Sequence, residues 1–217
     1  MTLQAQAQLQ VLAFLGTVAL VGAGVLAAVA FTLASRRREA ALAASGTLVV
    51  LGAYATALLA LGAAGRDRVL GPGEAKVFCE IDCHLAYTVS RVRVQRDGAG
   101  ERFAVTLRTY FDPRTIAPWR GDAPLYPNPR RVRVVDDRRR AWAPAERRGT
   151  ALDTPLRPGE SYETTFTFDL PADLSTPRLE LTEAEPITRL IVGHENSPLH
   201  GKTLLALGRG WESADTR

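Results

Sequence analysis

The chain has little of what most catalytic or metal-binding proteins use. Its 217 residues include two cysteines, three histidines and a single methionine at the N-terminus. That methionine leaves no Met axial ligand for a haem. No Gly-rich phosphate-binding loop and no Gly-x-Ser-x-Gly elbow occurs; the Gly-rich "VGAGV" lies inside an apolar run. The first 35 residues carry no charge at all, so the positive N-terminal region of a cleaved signal peptide is missing.

Charge first appears at Arg36, Arg37, Arg38 and Glu39, and a second uncharged run covers Ala40 to Gly65. At about 1.5 Å per residue, either run is long enough to cross a hydrocarbon core of about 30 Å as a helix. The expectation is a transmembrane helical hairpin over residues 1–65, with helices at about 9–34 and 41–64. Ala19, Ala23 and Ala27, spaced by four, offer a face for close helix approach. A short loop with three arginines favours the cytoplasm. The N-terminus and the remainder of the chain are therefore expected outside the cytoplasm, on the periplasmic side of a cell membrane. Disulfides persist in that compartment.

After a linker at 66–75, period-two alternation dominates residues 76–208, with a short tail at 209–217. Strands are expected at 76–89, 91–96, 102–111, 131–136, 140–143, 161–169, 177–183, 188–193 and 202–207. Pro158-Gly159 reads as the turn feeding one of them. The implied fold is an all-β antiparallel sandwich.

The segments "LRPGESYETTFTFDLP" and "ITRLIVGHENSPLHGKTLLAL" resemble those of bacterial membrane-anchored immunoglobulin-like β-sandwich domains, the second as a final strand pair. The resemblance spans most of 75–207. It implies an immunoglobulin-like fold and assigns no activity.

Both cysteines and one histidine fall in "FCEIDCHLAYTV", as Cys79, Cys83 and His84. Alternation places Val77, Cys79, Ile81, Cys83, Leu85, Tyr87 and Val89 on one face of a continuous strand. At about 3.3 Å per residue the two cysteine Cα atoms would lie about 13 Å apart, beyond the reach of a disulfide. They would then be small buried hydrophobes. A bulge near Ile81 would instead let the sulfurs converge. With His84, and with His194 and His200 of "GHENSPLH", they form a candidate copper or zinc site. Cys-x-x-x-Cys-His is one residue too long for haem attachment. The Pro198-containing His-x5-His spacing excludes a helical zincin motif.

Residues 130–148 hold eight arginines against three acids, and 153–185 hold eight acids against two arginines. "DDRRR" reads as a hairpin turn. Its Arg138, Arg139 and Arg140, with Trp119 and Tyr126 of the Pro-rich loop 112–130, are candidate interaction residues for anionic lipid or an acidic partner. Near balance of charge after residue 65 argues against nucleic acid. The expected function is a non-enzymatic accessory or interaction module anchored beside an integral membrane partner. A copper-binding or electron-transfer domain is the alternative.

Overall fold

The computed structural model describes residues 3–78, 85–97, 100–116 and 121–208. Within these the chain forms two compact units. One comprises the N-terminal helices and residues 186–201; the other comprises the β-strands.

In the helical unit, α1 (Leu3–Leu33) and α2 (Arg37–Ala64) form an antiparallel pair. Ser35, at φ 58°, ends α1 in the left-handed conformation. The Arg36 N–H closes onto Phe31 O at 2.8 Å and Ser35 N–H onto Thr32 O at 3.0 Å. Such a cap satisfies the last carbonyls and reverses the chain within a few residues. The seam between the helices does not run along Ala19 and Ala23, which are exposed. It runs through Gly24, where an added Cβ would lie 2.1 Å from Thr47 Oγ1. Thr47 Oγ1 in turn donates to Ala43 O at 2.8 Å, so its polarity is spent within its own helix. Both helices are long and apolar enough to cross a membrane.

The strand unit is a sandwich of two five-stranded sheets. The strands are β1 (Arg68–Leu70), β2 (Lys76–Phe78), β3 (Leu85–Asp97), β4 (Gly100–Phe111), β5 (Arg130–Val135), β6 (Ala141–Trp142), β7 (Glu146–Gly149), β8 (Ser161–Pro171), β9 (Arg178–Glu183) and β10 (Thr203–Ala206). One sheet has the order β1-β10-β9-β5-β6, the other β2-β3-β4-β8-β7. Pairing is antiparallel except between β1 and β10, which run parallel. The expected purely antiparallel sandwich is corrected at that pair. The core lies between the sheets, where Phe103, Val105, Leu107 and Phe111 of β4 face Leu179 and Leu181 of β9 and Leu205 of β10. Each such side chain contributes about 1.5–3 kcal/mol on full burial.

Two further expectations are overturned. Residues 188–193 are not a strand: Pro186–Leu190 is a 3-10 helix followed by turns, so no final strand pair exists there. Residues 76–89 are not one strand either. β2 ends at Phe78, and β3 runs back beside it with Lys76 opposite Tyr87, Val77 opposite Ala86 and Phe78 opposite Leu85. The chain thus reverses between Phe78 and Leu85. The inward face changes parity across the reversal: Lys76 and Phe78 point in while Val77 is 45% exposed. A second parity change, a bulge between Val89 and Arg91, lies where the sequence breaks its alternation at Ser90.

Candidate functional site

At one end of the sandwich the inward face of a sheet turns polar. Register aligns Lys76 with Tyr87, Tyr87 with Thr109 and Thr109 with Tyr162. One rung of four neighbouring strands therefore presents an ammonium and three hydroxyls to the core. Lys76 is 4% exposed, and Tyr87 and Thr109 are fully buried. A buried charge persists only with compensation. For Lys76 it comes from the opposite sheet: Nζ donates to Leu181 O at 2.5 Å and Thr203 O at 2.9 Å. The Phe78 ring also lies beneath it, with its centroid at 5.0 Å.

Arg130 enters the same layer from β5. Its guanidinium lies 4.1 Å from the Phe78 centroid, and its Nε–H donates to Tyr87 Oη at 3.4 Å. Nη1 is 3.5 Å from Glu183 Oε1, with both side chains buried. Phe78 and Tyr87 meet edge to face at 5.3 Å. Cation, ring and carboxylate thus interlock, and the sheets are bridged by charge-assisted contacts as well as by apolar packing.

The hydroxyls of Thr109 and Tyr162 are buried and make no hydrogen bond of good geometry among the described residues. Burial is the main cause that pushes the Tyr162 hydroxyl far above its ordinary pKa. Tyr87 and the Asp153 carboxylate add to the rise, while Thr109 and the Arg130 charge oppose it. Beside this rung a cleft of about 410 Å³ opens between Arg130, Val132, Arg147, Leu152, Asp153 and Phe166. It offers apolar walls with a guanidinium and a carboxylate at the rim. Such a site can hold a small molecule or chain terminus through charge-assisted hydrogen bonds.

The metal candidates fare differently. Cys79, Cys83 and His84 lie outside the described residues, as does Trp119. His194 and His200 are in the helical unit, in the 186–201 segment. His194 Nδ1 accepts the Asn196 N–H at 3.0 Å, which leaves Nε2 as the proton-bearing nitrogen of the neutral ring. His200 Nδ1 lies 2.6 Å from Gly201 O. A carbonyl only accepts, so this nitrogen donates. Among the described residues no three His, Cys, Asp or Glu side chains gather in a way that could hold a metal.

The arginine turn forms as expected, between β5 and β6. Two of its three cations are engaged internally. Arg140 Nε lies 2.7 Å from Asp136 and Nη1 2.9 Å from Asp173; Arg138 Nη1 is 3.6 Å from Asp173. Arg139 is exposed at the tip with φ 60°. Farther along, Arg133 pairs with Glu180 at 2.5 Å. The basic and acidic stretches of the sequence are thus partly neutralised by each other across β5 and β9. Tyr126 is 68% exposed, next to a bridge that pairs Leu125 with Leu156.

Sequence reasoning missed Lys76, Arg130, Thr109, Tyr162 and Glu183 as a group. The one available signal was rarity: Lys76 is one of two lysines in a chain whose other cations are arginines. An ammonium, unlike a planar guanidinium, fits as a point charge between two carbonyls.

No protein-family model matches the chain, and no curated protein matches it. Among solved structures it is similar to an uncharacterized β-sandwich protein from Clostridium difficile 630. That likeness has 9% identity over 66% of this chain and 96% of the other, with a TM-score of 0.41. It is also similar to the secreted protein MPT63 from Mycobacterium tuberculosis. There too identity is 9%, over 65% of this chain and 98% of the other, at a TM-score of 0.41. Similarity at this level assigns neither function nor site.

Proposed function

We propose that the chain is a membrane-anchored module. In this reading α1 and α2 span the bilayer, and an immunoglobulin-like sandwich stands on the extracytoplasmic side as an accessory or interaction subunit of a membrane assembly. The observation that carries the reading is the apolar surface of the paired helices. Leu12, Leu20, Leu26, Leu33, Leu48 and Val49 are each 63–82% exposed, and Arg36 to Arg38 sit at the reversal between the helices. Water does not favour an apolar surface of that size, whereas lipid does. Arg139, Tyr126 and the Arg130 cleft are the sandwich features offered to a partner.

The test is alkaline carbonate extraction of membranes, with protease added to intact spheroplasts. Retention in the membrane and loss of the sandwich to external protease are expected. Release by carbonate would overturn the anchor, and protection of the sandwich would overturn the orientation. Co-purification of an integral membrane protein in mild detergent is expected, and repeated isolation of the chain alone would remove the accessory role.

A second reading, copper or zinc handling at Cys79, Cys83 and His84, is favoured by one observation. Phe78 and Leu85, the described residues on either side of the segment, pair on antiparallel strands, so the single straight strand that would have held the sulfurs about 13 Å apart does not form. Metal content of the full-length protein, purified under reducing conditions and challenged with each ion, tests this reading. About one ion per chain, lost in Cys83→Ser, is expected; uptake unchanged by that substitution would eliminate the site.

A further inference from the structure

Residues 186–201 interrupt the β9–β10 connection and pack on the helices. Tyr54 of α2 donates its hydroxyl to Leu190 O at 2.6 Å. A Cβ on Gly62 would fall 2.1 Å from Pro198 O, and one on Gly65 3.0 Å from the His200 ring. A Cβ on Gly193 would fall 2.6 Å from Gln10 of α1. Small residues therefore let this segment lie directly on the helical hairpin.

The segment carries its own frame of backbone hydrogen bonds. Hydrogen bonds join Ile191 N–H to Thr188 O, His194 N–H to Ile191 O, Ser197 N–H to His194 O and His200 N–H to Ser197 O. This is a run of turns with a period of three. Three of its polar side chains are tied inside it: Asn196 Nδ2 donates to Thr188 Oγ1 at 2.9 Å, and Ser197 Oγ donates to His194 O at 2.6 Å; Arg189 is exposed and long enough to carry its charge to the headgroups. Thr188 is 6% and Ser197 2% exposed. Ile187, Leu190 and Leu199 are exposed by 51, 48 and 70%. Turns closed within the segment, with three large apolar side chains exposed, suit a low-water environment.

The depth agrees. If hydrocarbon begins just past Glu39, about 20 helical residues cross a 30 Å core and reach the far boundary near Leu59. Tyr54 then sits about 8 Å inside that boundary and Gly62 about 4 Å beyond it. A segment fastened at both levels lies within the outer 5–10 Å that interfacial elements occupy.

We infer that residues 186–201 form a lipid-dipping segment, with Ile187 and Leu190 seated among the acyl chains of the leaflet beyond the α2 C-terminus. This rests on the reading that α1 and α2 span the membrane. It adds a third element to the anchor, one contributed from between two sandwich strands.

The test uses full-length protein in phosphatidylcholine/phosphatidylglycerol nanodiscs. A nitroxide is attached through a genetically encoded ketone side chain, which leaves both cysteines untouched. Labels replace Ile187, Leu190, Val25 on α1 and Asp122, whose side chain is 93% exposed. Relaxation by oxygen is compared with relaxation by a water-soluble nickel chelate. The oxygen-to-nickel ratio is expected to be severalfold higher at 187 and 190 than at 122, approaching that at 25. A high ratio at 25 with a water-like ratio at 187 and 190 overturns the inference and leaves the anchor standing. A water-like ratio at 25 removes the anchor, and the inference with it. Positions 187 and 190 shielded from both reagents would mean that protein, not lipid, covers the segment, and would also overturn it.

Discussion

Lys76 on β2 reaches across the sandwich to Leu181 on β9, its ammonium nitrogen 2.5 Å from the carbonyl oxygen. The same nitrogen holds Thr203 O on β10 at 2.9 Å. One side chain thus ties an edge strand of one sheet to two strands of the other. Its net worth is the cost of leaving buried acceptors short of a donor, about 1–3 kcal/mol. Lys76→Met keeps the length and removes the charge. The substitution is expected to lower the unfolding midpoint of the sandwich by about 2–4 °C per kcal/mol lost. Thermal unfolding of the full-length protein in detergent, followed in the β-sheet circular dichroism band, checks this. A Lys76→Met protein as stable as the parent would show that the bridge is dispensable.

The same residue shows where the sequence was legible and where it was not. The two apolar helices were readable because spanning length and absence of charge are one-dimensional properties. The long strands β4 and β8 were readable because each buries one face, so Phe103, Val105 and Leu107, and Phe166 and Phe168, alternate with polar residues. The Pro158-Gly159 turn is present, with Gly159 at φ +85°. The β2–β3 reversal was hidden because residues 77–89 keep an unbroken alternation through it. Nothing local marks the point where the chain turns back and the inward face changes parity. Segment 188–193 was misread because Leu190, Ile191 and Val192 suit a strand, whereas its backbone closes turns with a period of three, Ile191 N–H onto Thr188 O and His194 N–H onto Ile191 O. β7, Glu146–Gly149, is exposed throughout and carries no hydrophobic signal. The polar rung of Lys76, Tyr87, Thr109 and Tyr162 depends on cross-strand register, which pairs residues far apart in sequence.

Gly149 and Gly159 separate two costs of adding a side chain. Both have positive φ, +89° and +85°. Gly159 has open space around its missing Cβ, while at Gly149 the Cβ would lie 2.7 Å from Glu163 O. That contact is with backbone, in the stretch where Thr150 N–H also donates to Glu163 O. Gly159→Ala is expected to cost only the left-handed conformation, about 1–2 kcal/mol. Gly149→Ala adds displacement of the β7–β8 pairing and should cost more. Unfolding midpoints of the two variants in parallel decide it; equal losses would mean that β7 yields without resistance.

Asp136 and Arg140 close the arginine turn, and their pairing makes stability depend on acid in a definite direction. The Asp136 carboxylate accepts from Arg140 Nε at 2.7 Å and from Arg140 N–H at 2.9 Å. Burial is the largest influence and works to raise its pKa. The hydrogen bonds and charge of Arg140, with the Arg138 N–H, act the other way and together prevail, so the group lies below its ordinary value. A carboxyl lowered in the folded state stabilises the fold at all pH above its unfolded value of about 3.9, and the contribution disappears as pH falls through the folded value. Asp136→Asn keeps an acceptor for the Arg140 N–H but has no charge to lose. The parent should therefore be more stable than Asp136→Asn by a constant margin from pH 8 to about pH 5, and the margin should narrow below about pH 4. Thermal midpoints of both proteins between pH 8 and pH 2.5, at fixed ionic strength, measure it. A margin that does not change with pH would mean that Asp136 acts in this turn through its shape and hydrogen bonds and not through its charge.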